Sequence, residues 1–354
     1  MSKSVTIVIP NRNRDLNTVR RSIASIVPQL NDTTRLVIVD YGSDIDYQHK
    51  FKALLEESFP KIYFILCPTQ GQLFHKTRAI NMVLRDCTAT FFMVLDMDCI
   101  AHPEFIEKAL ILASENEVIN FPYGFLKEEE SKSLKAFSDY HIDFIGGLTG
   151  TAIFNTEKLQ TINGFDEFYH SWGAEDADMF DRLERIGVQT NLYKKDVLLL
   201  HQWHAKGYRD KKSKQPFHSY LEKVNHEYYT LSRKRNTTKV NLDDQWGLAC
   251  DPAAYTRLKE PTEIWEFENY QQEIIGLFAS LIVQPPENPV EIRITKVLKN
   301  NKDKIKKILN KKTKPVLDMD LVNDRLLETI ILHYRNRPYF YEYDTDLAVI
   351  KVLI

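Results

Sequence analysis

An α/β fold built on a mostly parallel, helix-flanked central sheet follows from three features of the first two hundred residues. Short β-branched runs end in turn formers, helical spacing fills the gaps between them, and carboxylates stand where the runs stop. "VTIVIP" (Val5 to Pro10) and "RLVIVDYGS" (Arg35 to Ser43) are the first two runs. Between them "RDLNTVRRSIASIVPQL" places Leu16, Val19, Ile23 and Ile26 on one helical face, which makes a βαβ unit.

"KIYFILCP" reads as a third strand, "KTRAINMVLRD" as a helix and "TATFFMVLDMD" as a fourth strand. Ligands of such sheets gather at the carboxyl ends of the strands, where Pro10, Asp40 and Asp96 stand. After Gly124 the pattern loosens through "LKEEESKSLKAF", then resumes with "DFIGGLTGTAIFN", a helical "TEKLQTI" and the turn "NGF". "WGAEDADMFDRLERIG" predicts a helix with Met179, Leu183 and Ile186 on one face and Gly187 at its C-cap, and "DVLLLHQWH" a strand that ends in two histidines.

The reading divides the chain into a catalytic domain over residues 1–240 and a mainly α-helical C-terminal region over residues 241–354. Helices are expected in "PTEIWEFENYQQEIIGLFASLI" and "DLVNDRLLETIILHYR", and the lysine-rich "KVLKNNKDKIKKILNKKTK" between them suits either a solvated helix face or peripheral contact with acidic lipid or an anionic glycan.

Composition bounds the function. With 354 residues, 43% hydrophobic and 27% charged, the chain can bury a substantial core, and a net charge of -2 gives no overall basic footprint for nucleic acid. Cys67, Cys87, Cys99 and Cys250 form no CxxC pair, and "MSKSVTIVIP" lacks the pattern of a signal peptide, so a cytoplasmic protein is expected. No apolar stretch reaches the roughly 20 residues of a membrane-spanning helix.

Asp96 and Asp98 follow a hydrophobic strand, and strand alternation predicts both side chains on one side, where two carboxylates suit Mn²⁺ or Mg²⁺ and a diphosphate leaving group. The same tetrapeptide recurs at Leu317 to Asp320, where it follows lysines and Asp320 reads as the N-cap of a helix. "HSWGAEDADMF" gathers Trp172, Glu175, Asp176 and Asp178 at a helix start; acids there also complement a helix dipole. His201 and His204 have the chemistry of transition-metal ligands.

The order of these pieces resembles a known group. "IVIPNRNRDL", "LFHKTRAIN", "FMVLDMDCI", "FIGGLTGTAIFNTEKLQTINGFDEFYHSWGAEDADMFDRL" and "HQWH" are similar to successive motifs of the β-1,4-galactosyltransferase-like group of GT-A glycosyltransferases, and to bacterial family 2 synthases of the chondroitin-polymerase type. The resemblance covers about residues 4 to 215 and leaves the C-terminal third unmatched. It implies a GT-A fold and an inverting, Mn²⁺- or Mg²⁺-dependent transfer of galactose, N-acetylgalactosamine or a similar sugar from a UDP-sugar donor to a glycan or glycolipid acceptor, in bacterial surface polysaccharide synthesis.

Residue by residue, it implies that Pro10, Arg12, Arg14 and Asp40 border the uridine, that Lys76 and Arg78 approach the uridine or diphosphate, and that Asp96 and Gly147 also serve the donor. Asp98 becomes the main metal ligand, His204 takes the metal-binding histidine position, and His201 stands where the galactosyltransferases carry methionine. Trp172 becomes a sugar platform for the acceptor, and Glu175 and Asp176 the catalytic acid pair with Asp176 as general base. Phe144 occupies the position near which that family distinguishes galactose from its N-acetyl relative. The chain departs from the pattern at Ala174, where the animal enzymes favour glycine, and at Ala177, which interrupts their run of acids. Two other readings are an inactive nucleotide-sugar-binding scaffold and a Mg²⁺-dependent nucleotidyltransferase, the second weakened by the lack of a glycine-rich phosphate loop in "IPNRNRD".

Overall fold

Continuous apolar runs such as Ile7–Ile9 and Phe91–Val94 bury both of their faces, so they become central strands of a sheet covered on both sides. The computed structural model describes residues 3–205, 219–297 and 314–354. It divides into two compact units, one built from the chain up to Cys67 and from Phe74 on to Ala249, the other from Pro68–Leu73 and Cys250–Ile354.

The first unit holds β1 (Val5–Asn11), α1 (Leu16–Ile26), β2 (Thr34–Asp40), α2 (Ile45–Ser58), β3 (Tyr63–Leu66), α3 (Lys76–Leu84), β4 (Phe91–Val94), β5 (Cys99–Ala101), α4 (Phe105–Leu112), β6 (Glu117–Asn120), β7 (Tyr123–Leu126) and α5 (Glu128–Lys132). It continues with β8 (Ile142–Ile145), β9 (Ala152–Asn155), α6 (Thr156–Thr161), α7 (Glu175–Glu184), β10 (Gln189–Leu192), β11 (Leu199–His201) and α8 (Ser219–Lys234). A seven-stranded sheet runs β10-β6-β9-β4-β1-β2-β3, in which only the pairs made by β9 are antiparallel. This is the mixed, mostly parallel, helix-flanked α/β sheet that the alternation of strands and helices predicts. A smaller sheet, β5-β11-β7-β8, lies in the same unit.

Local chemistry sets the helix ends. Asp15 caps α1 by accepting from the backbone N–H groups of Asn17 and Thr18, a contact worth about 1 kcal/mol. Val19, Ile23 and Ile26 of that helix are wholly buried among Ile7, Ile9, Phe51, Met93 and Phe105. α7 is capped at Arg185, two residues before the expected Gly187, which instead turns the chain away beyond the cap with a φ of +85°, the left-handed geometry glycine adopts without strain.

The second unit carries α9 (Pro252–Leu258), β12 (Glu263–Glu268), α10 (Gln271–Val283), β13 (Val290–Thr295), α11 (Met319–Thr329), β14 (Phe340–Asp344) and β15 (Val349–Leu353). The expected helices are present, and they accompany a four-stranded sheet, β12-β13-β15-β14, that the sequence reading did not include. The segment read as one helix from Pro261 to Ile282 is a strand followed by a helix. In "EIWEFE" Trp265 and Phe267, two residues apart, are half-buried while Ile264 and the acids are exposed, the period-two burial of a strand rather than a helical stripe.

The cap of α11 is Asp318, which accepts from the N–H of Asp320; Asp320 itself lies in the first turn and accepts from the Tyr343 hydroxyl. The second "DMD" therefore is a cap, through its first carboxylate rather than its second. Most of the lysine-rich segment lies outside the described residues. Among the described residues no helix is long and apolar enough to cross a membrane.

Candidate functional site

β4 stops at Val94, so the period-two alternation does not reach the carboxylates beyond it, and Asp96 and Asp98 acquire different partners instead of sharing one. Asp98 is nearly buried and meets three nitrogens: Arg14 Nη2 at 3.0 Å and His204 Nε2 at 3.3 Å on Oδ2, and His201 Nε2 at 3.5 Å on Oδ1. The sheet brings these together. β11 pairs antiparallel with β5 so that His201 lies opposite Cys99, and the Gln202 N–H donates to the Asp98 carbonyl at 2.9 Å.

One carboxylate and two imidazoles here place ligand atoms within 4.8 Å of one another. Asp98 Oδ1 is buried and accepts no hydrogen bond, and His204 donates from Nδ1 to the Ala205 carbonyl, which can only accept, so Nε2 is the ring nitrogen left facing Asp98. Burial alone would raise the Asp98 pKa, but His201, Arg14 and His204 together hold it far below the usual carboxylate range. An oxygen–nitrogen–nitrogen donor set of this kind fits Mn²⁺ and tolerates related divalent ions.

Asp96 belongs to a second cluster. Lys76, at the first position of α3, reaches Asp96 at 3.1 Å and Glu175 at 3.3 Å. Burial pulls the Lys76 pKa down, but the charges of Asp96, Glu175 and Asp176 outweigh it and keep the ammonium protonated. The Tyr123 hydroxyl donates to Asp96 Oδ2 at 2.8 Å and contacts the Thr151 hydroxyl at 2.5 Å.

Glu175 Oε2 accepts from the Gly173 N–H at 3.2 Å, and Asp176 Oδ1 accepts from the Ala177 N–H at 2.8 Å. Burial first, and the neighbouring Glu175 charge second, push Asp176 up to about 6. The turn before α7 is tight, with Ser171, Gly173 and Ala174 all at positive φ, and Ala174 at +66° carries a Cβ in a conformation that glycine adopts freely.

The remaining expected donor residues divide. Pro10 closes β1 beside Val39, and Arg12 and Arg14 follow it, Arg14 being held by Asp98. Asp40 is fully buried at the end of β2, where Asn11, Ser43 and Gln48 donate to its carboxylate at 2.6–2.7 Å, so it organises the β1 and β2 ends from beneath. Burial raises its pKa despite those donors. Arg78 is not gathered with Lys76: its guanidinium is buried in an ion pair with Glu167 at 2.7 Å. Gly147 stands in open space, and Trp172 is 41% exposed with its ring edge toward His226.

Sequence reading missed Tyr123 and the aromatic chain beside it. Phe144 stacks on Phe125 with ring centroids 4.5 Å apart, and Phe125 lies 4.8 Å from the His201 ring. "NFPYGFL" offered alternating aromatics as a signal of a strand, but nothing in it pointed to Asp96, 27 residues earlier.

The fold and the site define a class, an α/β domain that sets a candidate divalent-cation site beside a cluster of carboxylates, and three comparisons with known proteins show what it is similar to. The family profile described as the N-terminal domain of galactosyltransferase matches residues 132–204, a span that includes Gly147, Trp172, Glu175, Asp176, His201 and His204. No curated protein matches the sequence. Among solved structures, the chain is similar to S. aureus TarS 1-349, at 15% identity over 56% of this chain and 60% of that one, with a TM-score of 0.42. It is also similar to the mannosyltransferase PcManGT from Pyrobaculum calidifontis in complex with GDP-Man and Mn²⁺, at 18% identity over 73% of this chain and 75% of that one, with a TM-score of 0.43. The match to TarS thus spans less than two thirds of that chain's length.

Proposed function

We propose that the protein is an inverting, metal-dependent glycosyltransferase that moves galactose, N-acetylgalactosamine or a similar sugar from a UDP-sugar to a hydroxyl of an acceptor glycan, as surface polysaccharide synthesis requires. The observation that carries this reading is the pairing of two clusters. Asp98, His201 and His204 make a site for a divalent cation, and Asp176, with its pKa raised to about 6, offers a carboxylate suited to accepting a proton near neutrality.

Asp98, His201 and His204 would hold the cation, whose chemistry is to neutralise charge on the departing diphosphate. Arg14 and Lys76 add fixed positive charge on the same side, suited to phosphate oxygens. Asp96, fixed by Lys76 and the Tyr123 hydroxyl, presents a carboxylate for hydroxyls of the donor ribose or sugar. Gly147, with nothing within 4 Å of where a Cβ would stand, leaves room for the donor.

Asp176 removes the proton of the acceptor hydroxyl as the oxygen attacks the anomeric carbon and the bond from that carbon to the diphosphate breaks. Attack opposite the leaving group inverts the anomeric configuration. Glu175 is occupied by Lys76 and the Gly173 N–H, and its part is to fix the turn that aims Asp176. Trp172 offers an exposed aromatic face to the acceptor sugar.

The test is UDP release from UDP-galactose, UDP-N-acetylgalactosamine, UDP-glucose and UDP-N-acetylglucosamine with Mn²⁺, with and without acceptor glycans. Release from at least one donor, abolished by chelation, is expected. A protein that releases UDP from none of them, or turns over fully in excess chelator, refutes the reading, and a product of retained configuration refutes inversion.

A further inference from the structure

A groove of about 630 Å³ runs along the flank of α7, and the first residue of that helix to line it is Ala177, next in the chain to Asp176. Ala177, whose N–H donates to Asp176, lines its near end, and Leu148, the residue after Gly147, forms one lip and is 62% exposed. Helical periodicity puts Asp176, Phe180 and Glu184 at successive turns of one face, so the groove follows the helix for about 12 Å beyond the proposed base. β10 supplies the opposite wall through Thr190, Asn191 and Leu192, and α8 contributes Tyr229. His226 faces the Trp172 ring, and the Tyr229 hydroxyl donates to Asp181 Oδ2 at 2.9 Å, which fixes the Tyr229 ring at the groove.

We propose that this groove is a subsite for the acceptor glycan beyond the sugar that receives the transferred residue, an inference that rests on the glycosyltransferase reading above. The lining alternates aromatic and aliphatic faces, Phe180, Tyr229, Leu148 and Leu192, with the charged rim of Asp181 and Lys194. A pyranose has the matching character, since its C–H faces pack on apolar rings and its equatorial hydroxyls bond to polar groups at the edge. The groove's ten lining residues fall well below the 20–30 per side of a stable protein interface, so a folded partner is disfavoured. Continuity decides the occupant: a glycan whose terminal hydroxyl meets Asp176 and whose end sugar rests on Trp172 has its next sugars directed along this face.

The test uses the full chain with UDP and Mn²⁺ on an array of mono- to hexasaccharides, with Leu148→Ala and Tyr229→Ala as variants remote from the metal and the base. Retention is expected to begin at the disaccharide and to strengthen with length. Either variant should weaken the longer glycans by about tenfold toward the monosaccharide level, as loss of one aromatic or aliphatic contact predicts. A circular-dichroism melt confirms that each variant is folded; should Tyr229→Ala fail, Tyr229→Leu removes the aromatic face and keeps the bulk. Equal retention of monosaccharides and oligosaccharides, unchanged retention by the folded variants, or no retention of any glycan overturns the subsite. UDP release from UDP-sugars in the absence of acceptor is scored separately, so failure of the groove and failure of the transferase reading give different results.

Discussion

Replacing Asp176 by asparagine removes one basic oxygen and leaves the side chain's size and its bond from the Ala177 N–H largely intact. With the carboxyl pushed up to about 6 by burial and by Glu175, roughly 90% of it is ionised at pH 7 and roughly 10% at pH 5. Wild-type transfer at saturating substrates should therefore fall about ninefold between those pH values, while the asparagine variant sits ~10²–10⁴-fold lower in kcat and lacks this acid limb. Stability moves the other way. The folded protein binds this proton more tightly than the unfolded chain, whose value is near 3.8, so between 3.8 and about 6 stability declines as pH rises, and Asp176→Asn should flatten that slope. The assay combines kcat from pH 5 to 8, UDP affinity with Mn²⁺, and thermal melts of both proteins. Donor affinity should survive. A folded variant with wild-type turnover, or a wild-type rate that is level from pH 5 to 8, refutes the base assignment and leaves Asp176 as a helix-dipole partner worth only ~0.3–1 kcal/mol.

Asp98→Ala should abolish Mn²⁺-dependent UDP binding by calorimetry, because the two imidazoles lose the carboxylate they surround; unchanged binding would move the metal elsewhere. His204→Ala should weaken Mn²⁺ affinity with little change in melting temperature, and an unfolded variant with unaltered metal affinity would make this histidine structural. Ala174→Gly relieves a left-handed φ of 66° and should raise stability by about 0.5–1 kcal/mol in a thermal or urea melt, whereas a lower melting temperature would show that the turn bears no strain. Arg182→Ala strips the partner from fully buried Asp178, 2.7 Å away, and releases the Gly164 carbonyl, so a loss of about 3–5 kcal/mol is expected in a urea melt, and a loss below 1 kcal/mol would contradict it.

The sheet was legible because its strands are buried on both faces and therefore apolar without interruption, and because helices between them carry one-sided stripes. The candidate metal cluster was legible in part because Asp98 comes soon after the apolar β4 and His201 closes the apolar β11. Arg78 shows what sequence could not convey. Its fate was set by Glu167, 89 residues away, and a buried guanidinium goes to the carboxylate that best repays its desolvation. Asp40 and Tyr123 were settled the same way, by partners that the fold brings in, Gln48 of α2 for the first and Asp96 beyond the end of β4 for the second. In the C-terminal region the error was one of period: Ile264, Trp265 and Phe267 satisfy a helical count loosely, and the flanking acids hid the alternation.

The six residues from Pro68 to Leu73 belong with a unit whose remaining parts begin at Cys250. Gly71 offers its carbonyl to the Tyr341 N–H at 2.9 Å, the Leu73 N–H donates to the Tyr339 hydroxyl at 3.0 Å, and a side chain at position 71 would strike the Phe340 ring. Such contacts span more than 260 positions, so they cannot form while the chain is still being made from its amino end. During synthesis the hexapeptide must wait for residues more than 260 positions further on to emerge before its backbone finds these partners. A substitution at Tyr339 or Phe340 would therefore be felt at Pro68–Leu73, far from it along the chain.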